Sequence, residues 1–355
     1  MGRNSDFYKN KTDKQIDKFN ELSDRLPVFV YDYLKEIRNH RQPSTLVAYA
    51  FDLLTFFEYL IQFNPLCKDI TPRQVPLEVM EHLTARDFDE YKDFLRNKGG
   101  HSNSPQSISR KMTPVRGWYD YAVRYGDIAA SPISSNGMRV KEDKSDIIRL
   151  TSNQVSELLT KVQYAEVSSN HARVYCEKTK QRDNALINLL LNTGIRVSEA
   201  EGLDMDDLDF IERRIQIVRK GGKESYIYLP QHTADLLLEY INGERLKLAK
   251  GNPDERALFL SNRHSRMCVK SIENVVKKYT KEVTGNGKIT CHKLRTTFGT
   301  NLYQKTSDIR LVADTLGHSS VNTTAKHYSA VEEEHRRKAA NIDLYGKNGE
   351  PDVPS

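Results

Sequence analysis

One stretch of this 355-residue chain alternates, and it limits what the remainder can build. In Arg214–Leu229, Ile215, Ile217 and Val218 precede Arg219-Lys220-Gly221-Gly222-Lys223, and Tyr226, Tyr228 and Leu229 follow. Alternation on both sides of a Gly-Gly tip predicts a β-hairpin. A single hairpin cannot make a large sheet, so most of the core has to come from helices. The predicted fold class is mainly α with a small antiparallel β-sheet.

The other periodic segments agree. Leu46, Tyr49, Leu53, Phe56 and Leu60 recur at spacings of three and four, with Ser44 or Thr45 placed as N-cap. Val79–Leu95 predicts one or two further helices. Ser107–Tyr125 predicts another, with Ile108, Met112, Val115, Tyr119 and Ala122 on one face and Arg110, Lys111 and Arg116 off it. Gly99-Gly100 through Pro105 is read as a loop. These segments predict an all-helical N-terminal domain over 27–128, preceded at 1–26 by a polar arm or partial helix. Residues 129–149 lose periodicity and gain Ser, Pro and charge, as a linker does. A second domain is expected over 150–335, opening on a capping signal at Thr151-Ser152 and containing a polar insertion at 164–182. Residues 336–355 are read as a tail.

Composition narrows the partners. Lys and Arg number 54 against 48 Asp and Glu, a formal charge of +6, which is only mildly basic. The distribution says more. Lys92, Arg96, Lys98, Arg110, Lys111, Arg116 and Arg124 face only Asp93 and Asp120 in the same stretch. Such clustering suits a phosphate backbone, although a solvated helix face has the same look. No stretch reads as the ~18 apolar residues of a membrane span. The N-terminus lacks the apolar core of a signal peptide, and Asp6 stands where a myristoylation motif has Ser or Thr. Cys67, Cys176, Cys268 and Cys291 form no Cys-x-x-Cys pair, so a zinc or disulfide framework is not expected and a cytoplasmic setting fits.

Candidate chemistry is concentrated in two places. Near the C-terminus come His292-Lys293-Leu294-Arg295, Leu316-Gly317-His318 and Tyr328; upstream, Asn192-Thr193-Gly194-Ile195-Arg196-Val197-Ser198-Glu199 supplies a second arginine. Arginine presents a planar fork of donors that matches a phosphate bidentately and keeps its charge. Tyrosine is a nucleophile able to hold a phosphoryl group covalently. His292 and Arg295, at i and i+3, share a helix face. Lys220 rides on the glycine-flanked hairpin tip, where it reads either as a general acid or as a solubilising turn residue. Asp204, Asp206, Asp207 and Asp209 invite a magnesium reading, but acidic residues on a short link are more often turn and cap residues. No metal or cofactor is expected, and no Gly-x-x-x-x-Gly-Lys-Ser/Thr nucleotide loop occurs.

Together, Asn192–Glu199, His292–Arg295, Leu316–Ser320 and Thr323-Thr324 with Tyr328 resemble the catalytic signature of the tyrosine recombinases, the phage-integrase and Xer class. Ser44–Asp52 and Ser107–Met112 resemble that family's helical core-binding domain, so the likeness covers about residues 27–335. It implies an all-helical, SAM-like core-binding domain followed by an α+β tyrosine recombinase catalytic domain. It further implies that Arg196 and Arg295 clamp the scissile phosphate, that Tyr328 attacks it to leave a 3′-phosphotyrosyl bond and a 5′-hydroxyl, and that Lys220 protonates the leaving oxygen. His292 would assist as general base, His318 would hydrogen-bond the phosphate, and Glu199 would orient the site. Arg110, Lys111 and Arg116 would contact DNA.

The implied partners are double-stranded DNA with inverted-repeat sites and three further copies of the chain. A homotetramer would hold two duplexes through a Holliday junction and exchange the C-terminal tail between subunits, without ATP or metal. Chromosome dimer resolution and mobile-element integration or excision are both open roles. A DNA-binding regulator that keeps the fold, and a type IB topoisomerase-like enzyme, are the alternatives. Two departures from the family pattern are Thr296, where many relatives carry histidine, and Tyr328 at ten rather than nine residues after His318. Tyr303 and Tyr345 compete as nucleophiles, and Tyr328 is favoured.

Overall fold

The computed structural model describes residues 6–97, 103–133, 148–164, 178–219, 222–252 and 255–317. The chain divides into two compact units, Asn4–Lys144 and the portion from Ser145 onward. The division falls inside the stretch read as a linker.

The N-terminal unit contains helices and no strand among its described residues. It comprises α1 (Asp6–Ser23), α2 (Val28–Arg38), α3 (Pro43–Phe63), α4 (Leu77–His82), α5 (Ala85–Asn97) and α6 (Pro105–Tyr125). The segment read as an arm or partial helix is α1, which lies along α3 and buries Phe19 and Leu22 in the common core. Its other residues are mostly polar, and two large side chains per few turns are enough to hold a helix against an apolar neighbour.

Helix α3 begins two or three residues earlier than a cap at Ser44 or Thr45 would place it. Pro43 takes the first turn after Gln42, and no side chain caps the end. A proline's missing N–H and fixed φ suit that position. An 18-residue window of α3 is also apolar enough to cross a membrane, contrary to the sequence expectation, and 56% of that window is buried inside this unit. Its apolarity is that of a core helix. Ser104 caps α6 by accepting from the Ser107 N–H at 3.2 Å, and Gly126 ends it with a left-handed φ of 81°. The predicted apolar face of α6 is buried, joined by Trp118. Tyr119 Oη donates to the Met80 carbonyl at 2.9 Å, and Trp118 Nε1 donates to Phe29 O at 3.2 Å. Both large rings thereby enter the core with their polar tips satisfied.

The C-terminal unit contains α7 (Ser152–Gln163), α8 (Lys180–Thr193), α9 (Val197–Glu201), the strands β1 (Leu208–Asp209), β2 (Arg214–Val218) and β3 (Glu224–Tyr228), then α10 (Gln231–Tyr240), α11 (Leu246–Ala249), α12 (Val269–Thr284), α13 (Cys291–Thr306) and α14 (Ile309–Leu316). A π turn, Ile241–Arg245, joins α10 to α11. Thr151 caps α7 from the side chain, as its sequence signal suggested.

Helix α8 is the axis of the unit. It is buried on nearly every side and packs against α7, α10 and α13. At its first turn the buried Asp183 accepts from Arg182 Nη2 at 2.8 Å and Lys278 Nζ at 2.7 Å, which ties α8 to α12. The three strands form one antiparallel sheet in the order β1-β2-β3, with Ile215 opposite Ile227 and Ile217 opposite Ser225. Ile215, Ile217 and Ile227 face the core, while Tyr226 and Tyr228 are exposed and Arg214 lies over the Tyr226 ring at 4.5 Å. The predicted hairpin is therefore present. β1 adds a short edge strand that its two-residue length had hidden.

Candidate active site

Among the described residues, the groups singled out in the sequence stand near the ends of elements. Helix α8 stops because Gly194 adopts φ +61°, and a Cβ there would collide with Phe298 and lie 2.9 Å from Leu316 Cδ2. Only glycine lets the chain turn that closely past α13 and α14. The turn delivers Arg196 to the N-terminus of α9. There Glu199 accepts the Arg196 backbone N–H at 2.9 Å and its Nη1 at 2.8 Å. One buried carboxylate (Glu199 is 3% exposed) thus caps a helix and fixes the direction of a guanidinium.

Arg295 and His292 lie on the first turns of α13. His292 is at the exposed end, whereas Arg295 is only 5% exposed. Arg295 Nη1 donates to Gly194 O at 2.5 Å, and its Nη2 donates to Leu316 O. It therefore joins the end of α8 to the end of α14.

The carbonyls at the end of α14 gather the charges. Leu316 O accepts from Arg295 and from Arg219 Nη1 at 2.9 Å; Thr315 O accepts from Arg219 Nη2 at 3.1 Å; Gly317 O accepts from Arg196 Nη2 at 3.2 Å. The last carbonyls of a helix have no partners within the helix and carry the negative end of its dipole, so guanidinium groups are stable there. Gly317, at φ +61°, closes α14. Three arginines and one glutamate leave an excess of positive charge in a partly buried recess. Burial pushes the Arg219 pKa down, the neighbouring Arg196 charge acts in the same sense, and Glu199 opposes both. A recess of this kind can neutralise charge that builds on an anionic group.

Residues 148–335 match the phage integrase family. The chain belongs to the phage integrase family. A tyrosine recombinase XerC of Caldanaerobacter subterraneus subsp. tengcongensis is 32% identical over 313 residues, covering 85% of this chain and 82% of the relative. A tyrosine recombinase XerS of Streptococcus uberis is 28% identical over 350 residues, covering 90% and 97%. Among solved structures, the XerH site-specific recombinase bound to palindromic difH substrate, a post-cleavage complex, aligns with a TM-score of 0.64 at 21% identity, covering 87% of this chain and 82% of that one. The Tn1549 transposon integrase in complex with transposon right-end DNA gives 0.61 at 21% identity, covering 88% and 99%. The fold is that of the tyrosine recombinases.

Within this phage integrase family chain, the structure brings Arg196, Glu199 and Arg295 together and sets His292 on the same helix as Arg295. Lys220, His318 and Tyr328 lie outside the described residues, as do the tail at 336–355 and its Tyr345. Their chain neighbours Arg219 and Gly317 are described and meet in the recess. Tyr303, the competing tyrosine, is buried with Val312 and Leu316.

The acidic link does not assemble as a metal site among the described residues. Asp204 pairs with Arg266, Asp206 with Arg256, and Asp209 with Arg214 at 3.1 Å, while Asp207 accepts the Asp204 N–H at 2.8 Å. These are turn and cap carboxylates. In the other unit, the basic cluster is substantially ion-paired. Arg110 and Lys111 both reach the buried Asp52, at 2.7 and 3.3 Å, and Arg96 pairs with Asp93 at 2.7 Å. Arg110 remains half exposed. Arg116 has its Nε and Nη2 buried without a hydrogen-bond partner.

Sequence reasoning missed Arg219, treating it only as part of a basic tip. Its position directly before Lys220 was the available signal.

Proposed function

We propose that this chain is a site-specific DNA recombinase of the Xer kind, which cuts and rejoins strands through a 3′-phosphotyrosyl intermediate. The observation that carries this reading is the pairing of Arg196, held by Glu199, with Arg295 over the end of α14, immediately before His318. Arg196 and Arg295 clamp the scissile phosphate and stabilise the charge that develops on its non-bridging oxygens. The Tyr328 hydroxyl attacks phosphorus, and its proton passes to His292. The P–O5′ bond breaks, and Lys220 protonates the departing 5′-oxygen. His318 hydrogen-bonds the phosphate. The phosphotyrosyl bond preserves the energy of the original phosphodiester, so rejoining uses the same groups in reverse.

Double-stranded DNA with inverted-repeat sites is the proposed substrate. Arg110, Lys111 and Arg116 of the helical unit contact the backbone around it. Four copies act on two duplexes in the cytoplasm and exchange the tail at 336–355. The XerC and XerS relatives, named as tyrosine recombinases and matched over most of their length, support the strand-exchange chemistry that chromosome dimer resolution and mobile-element integration or excision share.

The test is covalent trapping on nicked duplexes carrying chromosomal or element-end sequences. Wild-type protein is expected to form an adduct, and Tyr328→Phe none. An adduct with Tyr328→Phe would sink the nucleophile assignment. DNA binding without any wild-type adduct would favour a regulator. Sequencing the trapped DNA identifies the site and separates chromosomal from element-borne targets.

A further inference from the structure

We infer that Arg219 is a positioning residue for the leaving-group acid: it fastens the base of the hairpin tip to the end of α14 and so sets where Lys220 stands relative to the phosphate clamp. The inference rests on the function proposed above. An arginine in a hairpin turn would ordinarily extend into water, because burying a guanidinium sacrifices hydration. Arg219 does the opposite. It is partly buried, with Nη1 and Nη2 spread over two successive carbonyls, Leu316 O at 2.9 Å and Thr315 O at 3.1 Å. Leu316 O is the atom that Arg295 also uses, and Arg196 takes the next carbonyl. The hairpin is thus joined to the same three-residue segment that organises both clamp arginines.

The main chain at Arg219 is also closed on itself. Its N–H donates to Lys223 O at 2.8 Å, and its carbonyl accepts the Gly222 N–H at 3.0 Å. Lys220 is the next residue in the sequence. Gly317 leaves the room: a Cβ there would strike the Arg219 guanidinium. A proton donor on a glycine-rich tip has a wide range of positions, and a misplacement of about 1 Å costs on the order of 10²-fold in rate.

The reaction step that should feel Arg219 is breakage of P–O5′, where the bonding electrons go to O5′ and that oxygen takes a proton from the Lys220 ammonium. A substrate with sulfur in place of the 5′-bridging oxygen removes this need. Its P–S bond breaks to release a thiolate, which is stable near neutral pH without a proton donor. The experiment measures single-turnover adduct formation by full-length wild type, Arg219→Ala, Arg219→Lys and Lys220→Ala on matched oxygen- and sulfur-bridged nicked duplexes. DNA affinity and thermal unfolding are measured on the same preparations.

Arg219→Ala is expected to bind DNA within about threefold of wild type and to cleave the oxygen substrate about 10- to 100-fold more slowly. Its rate on the sulfur substrate should return to within about threefold of wild type. Arg219→Lys, which cannot span both carbonyls, should fall between. Wild-type cleavage of the oxygen substrate by Arg219→Ala would overturn the inference, and so would an equal deficit on both substrates. Rescue of Lys220→Ala without rescue of Arg219→Ala would overturn it while leaving the acid role intact. Failure to rescue Lys220→Ala would remove the acid role itself, and absence of any wild-type adduct would remove the recombinase reading.

Discussion

Glu199→Gln is the sharpest test of how the clamp is built. The carboxylate makes two bonds to one residue, capping the Arg196 N–H at 2.9 Å through Oε2 and holding Arg196 Nη1 at 2.8 Å through Oε1. Glutamine matches the shape but has one acceptor oxygen. If that oxygen keeps the cap, the amide N–H₂ points at the guanidinium, donor against donor. A hydrogen bond to a charged group is worth about 1.5–3 kcal/mol. Arg196 is a third exposed, so water recovers part of the loss, and the lower end applies, about 1.5–2 kcal/mol. For a unit of this size, each kcal/mol moves Tm by about 2–4 °C, giving an expected fall of about 3–8 °C in the transition of the C-terminal unit. The catalytic effect should be larger than this loss of stability. Arg196 keeps its charge but loses its aim, so adduct formation should slow by about 10- to 100-fold while DNA affinity stays within a few-fold. Calorimetry with single-turnover trapping on a nicked duplex reads both quantities. A Glu199→Gln protein that unfolds within about 1 °C of wild type, a stability change of less than about 0.5 kcal/mol, and cleaves at the wild-type rate would refute the orienting role.

Two further outcomes follow from the same geometry. Gly194→Ala places a Cβ at φ +61° against Phe298 and Leu316; about 1–2 kcal/mol for the left-handed backbone and about 1–3 kcal/mol for overpacking should lower Tm by about 5 °C or more, and an unchanged Tm would show that the turn has slack. Alkylation by iodoacetamide in a Cys176→Ser background should label Cys268 roughly tenfold faster than Cys67 or Cys291. Cys268 is exposed, and its hydrogen bond with Ser271 lowers its pKa, which raises its thiolate fraction at neutral pH; burial pushes Cys291 up to about 12 and Cys67 upward as well. Peptide mapping that found Cys291 labelled as fast as Cys268 would contradict the burial of Cys291 at the start of α13.

Local pattern carried much of the site. Arg196 and Glu199 are three apart, as are His292 and Arg295, and both spacings suit one helical turn; that Glu199 caps the start of α9 at Arg196, and that Arg295 is buried where His292 is exposed, only the structure shows. The hairpin announced itself by alternation around a Gly-Gly tip. Other features lay beyond such signals. Phe19 and Leu22 are too few to distinguish a docked helix from a polar arm, and the apolar run of α3 has the composition of a membrane span until its neighbours are seen. Asp52 sits nearly sixty residues from Arg110 and Lys111, and nothing local reveals that it holds them both.

What the chain alone determined was the class of elements and the kind of chemistry, because helix period, strand alternation and residue type are properties of neighbours in sequence. What tertiary structure decided was the meeting of Arg196, Arg219 and Arg295 on the last carbonyls of α14. Those contacts join residues 121, 97 and 21 positions apart. They exist because a helix end offers carbonyls with no internal partner, and only the packing of α8, α13 and the hairpin around α14 determines which guanidinium groups arrive there.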